Sequence, residues 1–208
     1  MLTAEEIEDG LKFGYEARGV ELKGPGNRAD RHFFARVARA ALGMGNLRDG
    51  GHVIIGIADD DPASLLPGLE KDDLESWLAY DDVARKLGEY ADPPLGFDIA
   101  QVELGSGASV AVIQVFEFGD LPHLCAKEYP DVLRKGALYV RPRKVPETSE
   151  IASHVEMRDI IDLAVEKGLR AFIGTADRAG LAITAGEGSP SKESDVERFK
   201  AEQNRAWD

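Results

Sequence analysis

One cysteine, Cys125, in 208 residues leaves no partner for an intrachain disulfide and excludes a zinc site built from cysteine pairs. No run approaches the roughly 18 apolar residues that span a bilayer. The first ten residues, MLTAEEIEDG, are acidic and lack the basic, apolar and small-residue succession of a signal peptide. A protein of the reducing cytoplasm, with no membrane partner, is expected. There is no Gly-Lys dipeptide, hence no G-x-x-x-x-G-K-[ST] loop, and no bound ATP is predicted. Gly24-Pro25-Gly26 is too short and rigid to cradle a triphosphate. The G-x-S-x-G elbow of serine hydrolases is also missing, and Gly105-Ser106-Gly107 reads as a hairpin turn. Repeats and low-complexity runs are absent.

What is present is ordinary globular material, 43% hydrophobic and 30% charged, with a net charge of −13. Such a balance argues against a generally basic nucleic-acid-binding surface. The charges are unevenly placed, however. Residues 18–48 hold Arg18, Lys23, Arg28, Arg31, Arg36, Arg39 and Arg48 against Glu21 and Asp30, a balance of +5. Residues 132–146 hold Arg134, Lys135, Arg141, Arg143 and Lys144 and no acid, whereas residues 59–92 carry eleven acids against three bases. Segregation of this kind can make a basic face on an acidic protein, although solvated helix and loop faces give the same composition.

Thr3 followed by Glu6 is a capping box, predicting a helix over 3–13 that Gly10 weakens. A short strand over 19–23 ends at Gly24-Pro25-Gly26. Asp30 can cap a helix to about Gly43, with Phe33, Phe34, Val37, Ala38, Ala41 and Leu42 on one side. Arg28, His32, Arg36 and Arg39 gather opposite. After a turn over 46–51, residues 52–58 read as a strand buried on both faces. Residues 69–90 predict one or two helices. Strands follow near 97–103, 108–116 and 137–141. Ser149 can cap a helix over about 150–167; Gly168 can stop it, or residues 169–173 can resume it. The chain is expected to be one mixed α/β (α+β) domain, a mixed sheet flanked by helices, over residues 1–180. Residues 181–208 then form a charged, weakly ordered tail.

Three acids are placed suggestively. Glu16 and Glu21 flank the turn into the first strand, and Asp59 ends the buried strand, where ligands of α/β sheets collect. If those strands are neighbours, Glu21 and Asp59 can meet, and hard carboxylate oxygens suit Mg²⁺ or Mn²⁺. Lys23 shares the strand face of Glu21 and can neutralise a phosphate. Arg141 and Arg143 alternate on another strand. Each has a plainer reading: Glu21 pairing with Lys23 or Arg18, Asp59 as a turn residue, Arg141 pairing with an acid of 69–90. His52 reads as a packed residue and His123 has no second ligand nearby.

The segments VELKGPG (20–26), GMGNLRDGGHVIIGIADD (43–60) and GALYVRPRKVPETSE (136–150) resemble, in order and spacing, those of the Schlafen AlbA-like domain family. The turn before Gly50-Gly51 is one residue longer than usual. The resemblance covers about residues 12–165 and implies a mixed α/β domain that binds DNA or RNA. In the family's animal ribonucleases a three-acid centre is known, and Glu16, Glu21 and Asp59 match its positions. Those enzymes pair two such lobes, so the resemblance implies a homodimer here. It further implies catalysis and metal binding by Glu16, Glu21 and Asp59 as a divalent-metal endoribonuclease or nuclease. Lys23, Arg28, Arg36, Arg39, Arg141, Arg143 and Lys144 would hold an RNA or single-stranded DNA backbone. The competing expectation is a non-catalytic scaffold or regulatory subunit, which the −13 charge favours.

Overall fold

The computed structural model describes residues 1–12, 18–58, 60–142 and 147–181. The predicted tail from 182 onward, Glu16, Asp59, Arg143 and Lys144 lie outside the described residues. The chain divides into two compact units, residues 1–168 and 169–208.

The fold is α+β, with helices flanking a mixed sheet. Helix α1 (Ala4–Leu11) starts at the expected capping box: Thr3 N donates to Glu6 Oε2 at 2.8 Å and Glu6 N to Thr3 Oγ1 at 3.3 Å. Strand β1 (Val20–Lys23) is followed by α2 (Arg31–Gly45), whose first free amides, His32 N and Phe33 N, donate to the Asp30 carboxylate. Strand β2 (Gly51–Ile55) then runs parallel to β1. Helices α3 (Lys71–Leu78) and α4 (Tyr80–Gly88) carry the acidic stretch. Strand β3 (Ala91–Asp92) precedes the hairpin β4 (Phe97–Glu103) and β5 (Ser109–Val115). Strands β6 (Leu124–Cys125), β7 (Tyr139–Val140) and β8 (Ser149–Glu150) lead to α5 (His154–Arg178).

The main sheet has the order β1-β2-β5-β4, parallel at the first pair and antiparallel at the others. Strand alternation sorts its side chains between two layers. Val53, Ile55, Ala111, Ile113 and Val115 pack with α2, α3 and α4. Leu22, Ile54, Val110 and Val112 pack with Ile7 and Leu11 of α1. In the larger layer Phe34 stacks on Trp77, ring centres 5.7 Å apart, and Trp77 Nε1 donates to Gly26 O at 2.9 Å. A side chain at Gly26 would strike the Phe33 ring, which is why the glycine break after β1 lies so close to the core.

Two boundaries differ from expectation. Ser149 caps no helix. It pairs with Val140, and Ile151 N donates to Leu138 O at 2.9 Å, so this stretch is drawn into β8. The helix begins at His154, where Ser153 Oγ accepts from Glu156 N at 3.2 Å, and it continues through Gly168 to Arg178.

The end of α2 is a clasp. Asn46 Nδ2 donates to His123 O and Tyr139 O, both at 2.9 Å, and Asn46 Oδ1 accepts from His123 N at 2.8 Å. Beside it, a Cβ at Gly45 would run into His123 and Leu95, and one at Gly43 into Thr148. His123 is buried there, its Nδ1 2.7 Å from Pro93 O and its Nε2 without a partner. Burial pushes this imidazole below its ordinary value of 6.5, and the Pro93 carbonyl opposes in part. His52 is lowered chiefly by burial as well. A lowered folded-state pKa means that the unfolded chain binds protons first as the medium acidifies. Stability is therefore complete above about pH 6.5 and is lost as pH falls toward the folded-state values. The urea midpoint should drop below that pH, and His123→Gln should flatten the slope. An equal slope in the variant would remove His123 from the account.

Candidate functional site

The site grows from one strand. Glu21 and Lys23 are two residues apart on β1, so both point to the α2 face, and both are buried, 7% exposed each. Lys23 Nζ donates to Glu21 Oε1 at 2.5 Å and to Leu22 O at 2.9 Å. The other carboxylate oxygen, Oε2, is bound by Arg141 Nη1 and approached by Thr148 Oγ1 at 3.4 Å.

Arg141, just past β7, is 1% exposed. Its Nε donates to Arg18 O at 2.9 Å and its Nη2 to Val20 O at 2.6 Å. Arg18 Nε answers with a 2.9 Å bond to Arg141 O. A guanidinium can do this because its donors form a rigid planar fork. The pairing predicted between Arg141 and an acid of 69–90 does not occur among the described residues. Arg28 takes that part, with Asp82 at 3.1 Å.

Above the pair, Arg36, Arg39 and Ala40 of α2 and Glu147 and Thr148 before β8 close a small pocket of about 90 Å³ with Glu21 and Lys23. Arg39 Nη2 donates to Thr148 O at 2.6 Å, its guanidinium lies 5.8 Å from the Tyr139 ring centre, and its buried Nε has no partner. Cations outnumber acids in the lining, three to two. Space for about three waters, at ~30 Å³ each, is also the size of one phosphate group. Arg141 further borders a cavity of about 670 Å³, lined among others by Arg18, Arg48, Leu47, Ile160 and Asp162.

Of the predicted site residues, Glu21, Lys23, Arg36 and Arg39 thus share one pocket, and Arg141 supports it from beneath. Arg28 lies on Asp82 instead. Sequence reading missed Thr148 and named Arg18 only as a partner for Glu21, whereas its Nε bonds Arg141 O. Thr148 stood in the quoted PETSE stretch, and Gly43 on α2 was the signal for its close approach.

A metal ion does not fit Glu21 as the structure places it. Both carboxylate oxygens already carry a cationic partner, and a further divalent charge would sit against Lys23 and Arg141. Among the described residues no group of three or more His, Cys, Asp or Glu is gathered to hold a metal, and no helix is long and apolar enough to cross a membrane.

No family model and no curated protein matches the chain. Among solved structures, the DIP2311 protein of Corynebacterium diphtheriae is similar over 71% of this chain at 18% identity and a TM-score of 0.46. The chain spans 28% of that protein's length. The N-terminal domain of a RecG-related protein of Nitrosomonas europaea is similar over 74% of this chain and 91% of its own, at 18% identity and a TM-score of 0.42.

Proposed function

We propose that the protein binds single-stranded nucleic acid, RNA or DNA, through its phosphodiester backbone, one phosphate entering the pocket between α2 and β1. The observation that carries this reading is the cationic lining of that pocket, Lys23, Arg36 and Arg39 around a space of phosphate size, with a buried Arg39 Nε lacking an acceptor. Charge-assisted hydrogen bonds from guanidinium to phosphate are the strong kind. The motif resemblance supports the choice of nucleic acid among anions. Glu21 acts here by holding Lys23 and Arg141 in place. Cleavage by Glu16, Glu21 and Asp59 with Mg²⁺ or Mn²⁺ is the finer form of the reading. It requires Lys23 and Arg141 to release Glu21 first.

The test is fluorescence anisotropy with labelled single-stranded RNA and DNA across a salt series. Affinity should fall steeply with salt, as counterion release demands. Arg36→Ala and Arg39→Ala should each weaken binding by about 10-fold and lower the salt slope by about one. No binding even at low salt would leave the scaffold reading instead. A Mn²⁺ arm against chelator decides cleavage: loss of substrate that stops in Glu21→Gln supports the three-acid centre, and intact substrate removes it.

A further inference from the structure

The outer face of α2 carries more than the pocket uses. His32, Arg36, Arg39 and Gly43 follow one another at four, three and four residues, so they form one line along the helix. Arg36 and Arg39 line the phosphate-sized pocket, and Gly43 is where Thr148 approaches the helix. His32 lies one turn, about 5.4 Å, beyond Arg36 and away from Thr148. It is exposed, and its ring has no hydrogen bond or ion pair among the described residues. What it does meet is the ring of Tyr129, edge to face with centres 6.0 Å apart.

Tyr129 is held in place by its own main chain. It opens a tight turn in which Tyr129 N donates to Leu133 O at 2.8 Å and Leu133 N donates to Tyr129 O at 2.9 Å. Asp131, left-handed at φ +60°, lets that turn close. The ring packs against the core layer of α2 and is only half-buried there. A side chain already fixed loses little freedom when a ligand lies on it. The charge nearby is cationic. Arg31 is exposed and makes no ion pair among the described residues. Glu89 holds the Lys127 ammonium above its ordinary pKa, and Arg31 is near enough to oppose this in part. The acids here are Glu89, bound to Lys127 at 2.5 Å, and Glu128. Unbalanced cations beside a fixed ring suit single-stranded nucleic acid, whose backbone takes the charge and whose bases take the ring.

We infer that Tyr129, edged by His32, is a stacking platform for an unpaired base, with Arg31 meeting the adjoining phosphate. The inference rests on the backbone reading above. A strand with one phosphate at Arg36 and Arg39, running toward the start of α2, brings a neighbouring base over Tyr129 within one helix turn of the pocket. Only an unpaired base can lie there, so the platform selects single strands over duplex.

The probes are an oligo(dA), an abasic deoxyribose-phosphate chain with the same number of phosphates, and the oligo(dA)·oligo(dT) duplex, each offered to the full chain. In fluorescence anisotropy at low salt the oligo(dA) should bind about 10-fold more tightly than the abasic chain, the share of one stacked base. Tyr129→Leu, which keeps apolar bulk against the core, should bring oligo(dA) down to the abasic level and leave abasic binding unchanged. Tyr129→Phe should keep the parent's preference. Arg31→Ala should weaken both single-stranded probes alike. Equal binding of oligo(dA) and the abasic chain by the parent overturns the platform and leaves the backbone reading in place. So does a Tyr129→Leu variant that loses both probes equally, since the ring would then serve only the packing of its turn, and so does a duplex bound as tightly as the single strand. Binding of none of the three removes the backbone reading itself, and the platform with it.

Discussion

Replacing Arg141 by alanine should destabilise the fold by about 3–5 kcal/mol, the cost of leaving a buried charge without its partner. Three guanidinium nitrogens hold Arg18 O, Val20 O and the Glu21 carboxylate from a position almost sealed from solvent. The truncated chain keeps Glu21 buried with Lys23 as its cationic partner and Thr148 beside it, and strands two backbone carbonyls. Arg141→Lys should recover little, because one compact ammonium cannot serve three acceptors set around a planar fork. Removing all three charges as Glu21→Leu, Lys23→Met and Arg141→Met should recover part of the loss, since no desolvated charge is then left without its partner while the two carbonyls stay unanswered. Urea denaturation measures all three. A loss below about 1 kcal/mol in Arg141→Ala would mean that the pair is far more hydrated than its burial implies.

Gly50→Ala should cost about 3 kcal/mol or more, a left-handed backbone contributing ~1–2 and an unrelieved clash ~1–3. Gly50 has φ of +72° after Asp49 at +69°, and Gly50 N donates to Leu47 O at 2.9 Å to close the turn into β2. A Cβ there would press on the Val115 carbonyl oxygen and stand 3.0 Å from Glu117 N. Both are main chain, the first ending the paired strand β5 and the second just beyond it, and cannot swing aside. Gly51→Ala should cost less. Its φ is not positive, and its foremost obstacle is Met44 Sδ, the end of a flexible side chain, with Gly19 O next at 2.8 Å. Thermal melts should rank the two in that order. The reverse order would show that the turn yields more easily than the Met44 packing.

Much of this architecture was legible because its signals are local. The capping box at Thr3, the Asp30 cap, the apolar run of β2 and the Gly105–Gly107 turn each act within a few residues, and each stands where expected. Ser149 misled because a serine before an apolar period looks like a cap, while the competing bond, Ile151 N to Leu138 O, comes from a segment thirteen residues away. The site divides similarly. Glu21 and Lys23 on one strand face follow from a period of two, and Arg36 and Arg39 on one helix face from a period near 3.6. That Arg141 would cross 120 residues to reach Glu21, or that Arg28 rather than Arg141 would take Asp82, is set by how the segments pack. No spacing within a segment encodes it.

The clasp at the end of α2 bears on how the molecule comes apart. One amide side chain pins two stretches that lie 77 and 93 residues away along the chain, and the glycines beside it let a third, at Thr148, rest on the same helix turn. Loops anchored at a common point have no order in which to peel. When Asn46 lets go, the backbones of His123 and Tyr139 lose the same anchor together, while β4 and β5, between Pro93 and His123, stay held by the main sheet.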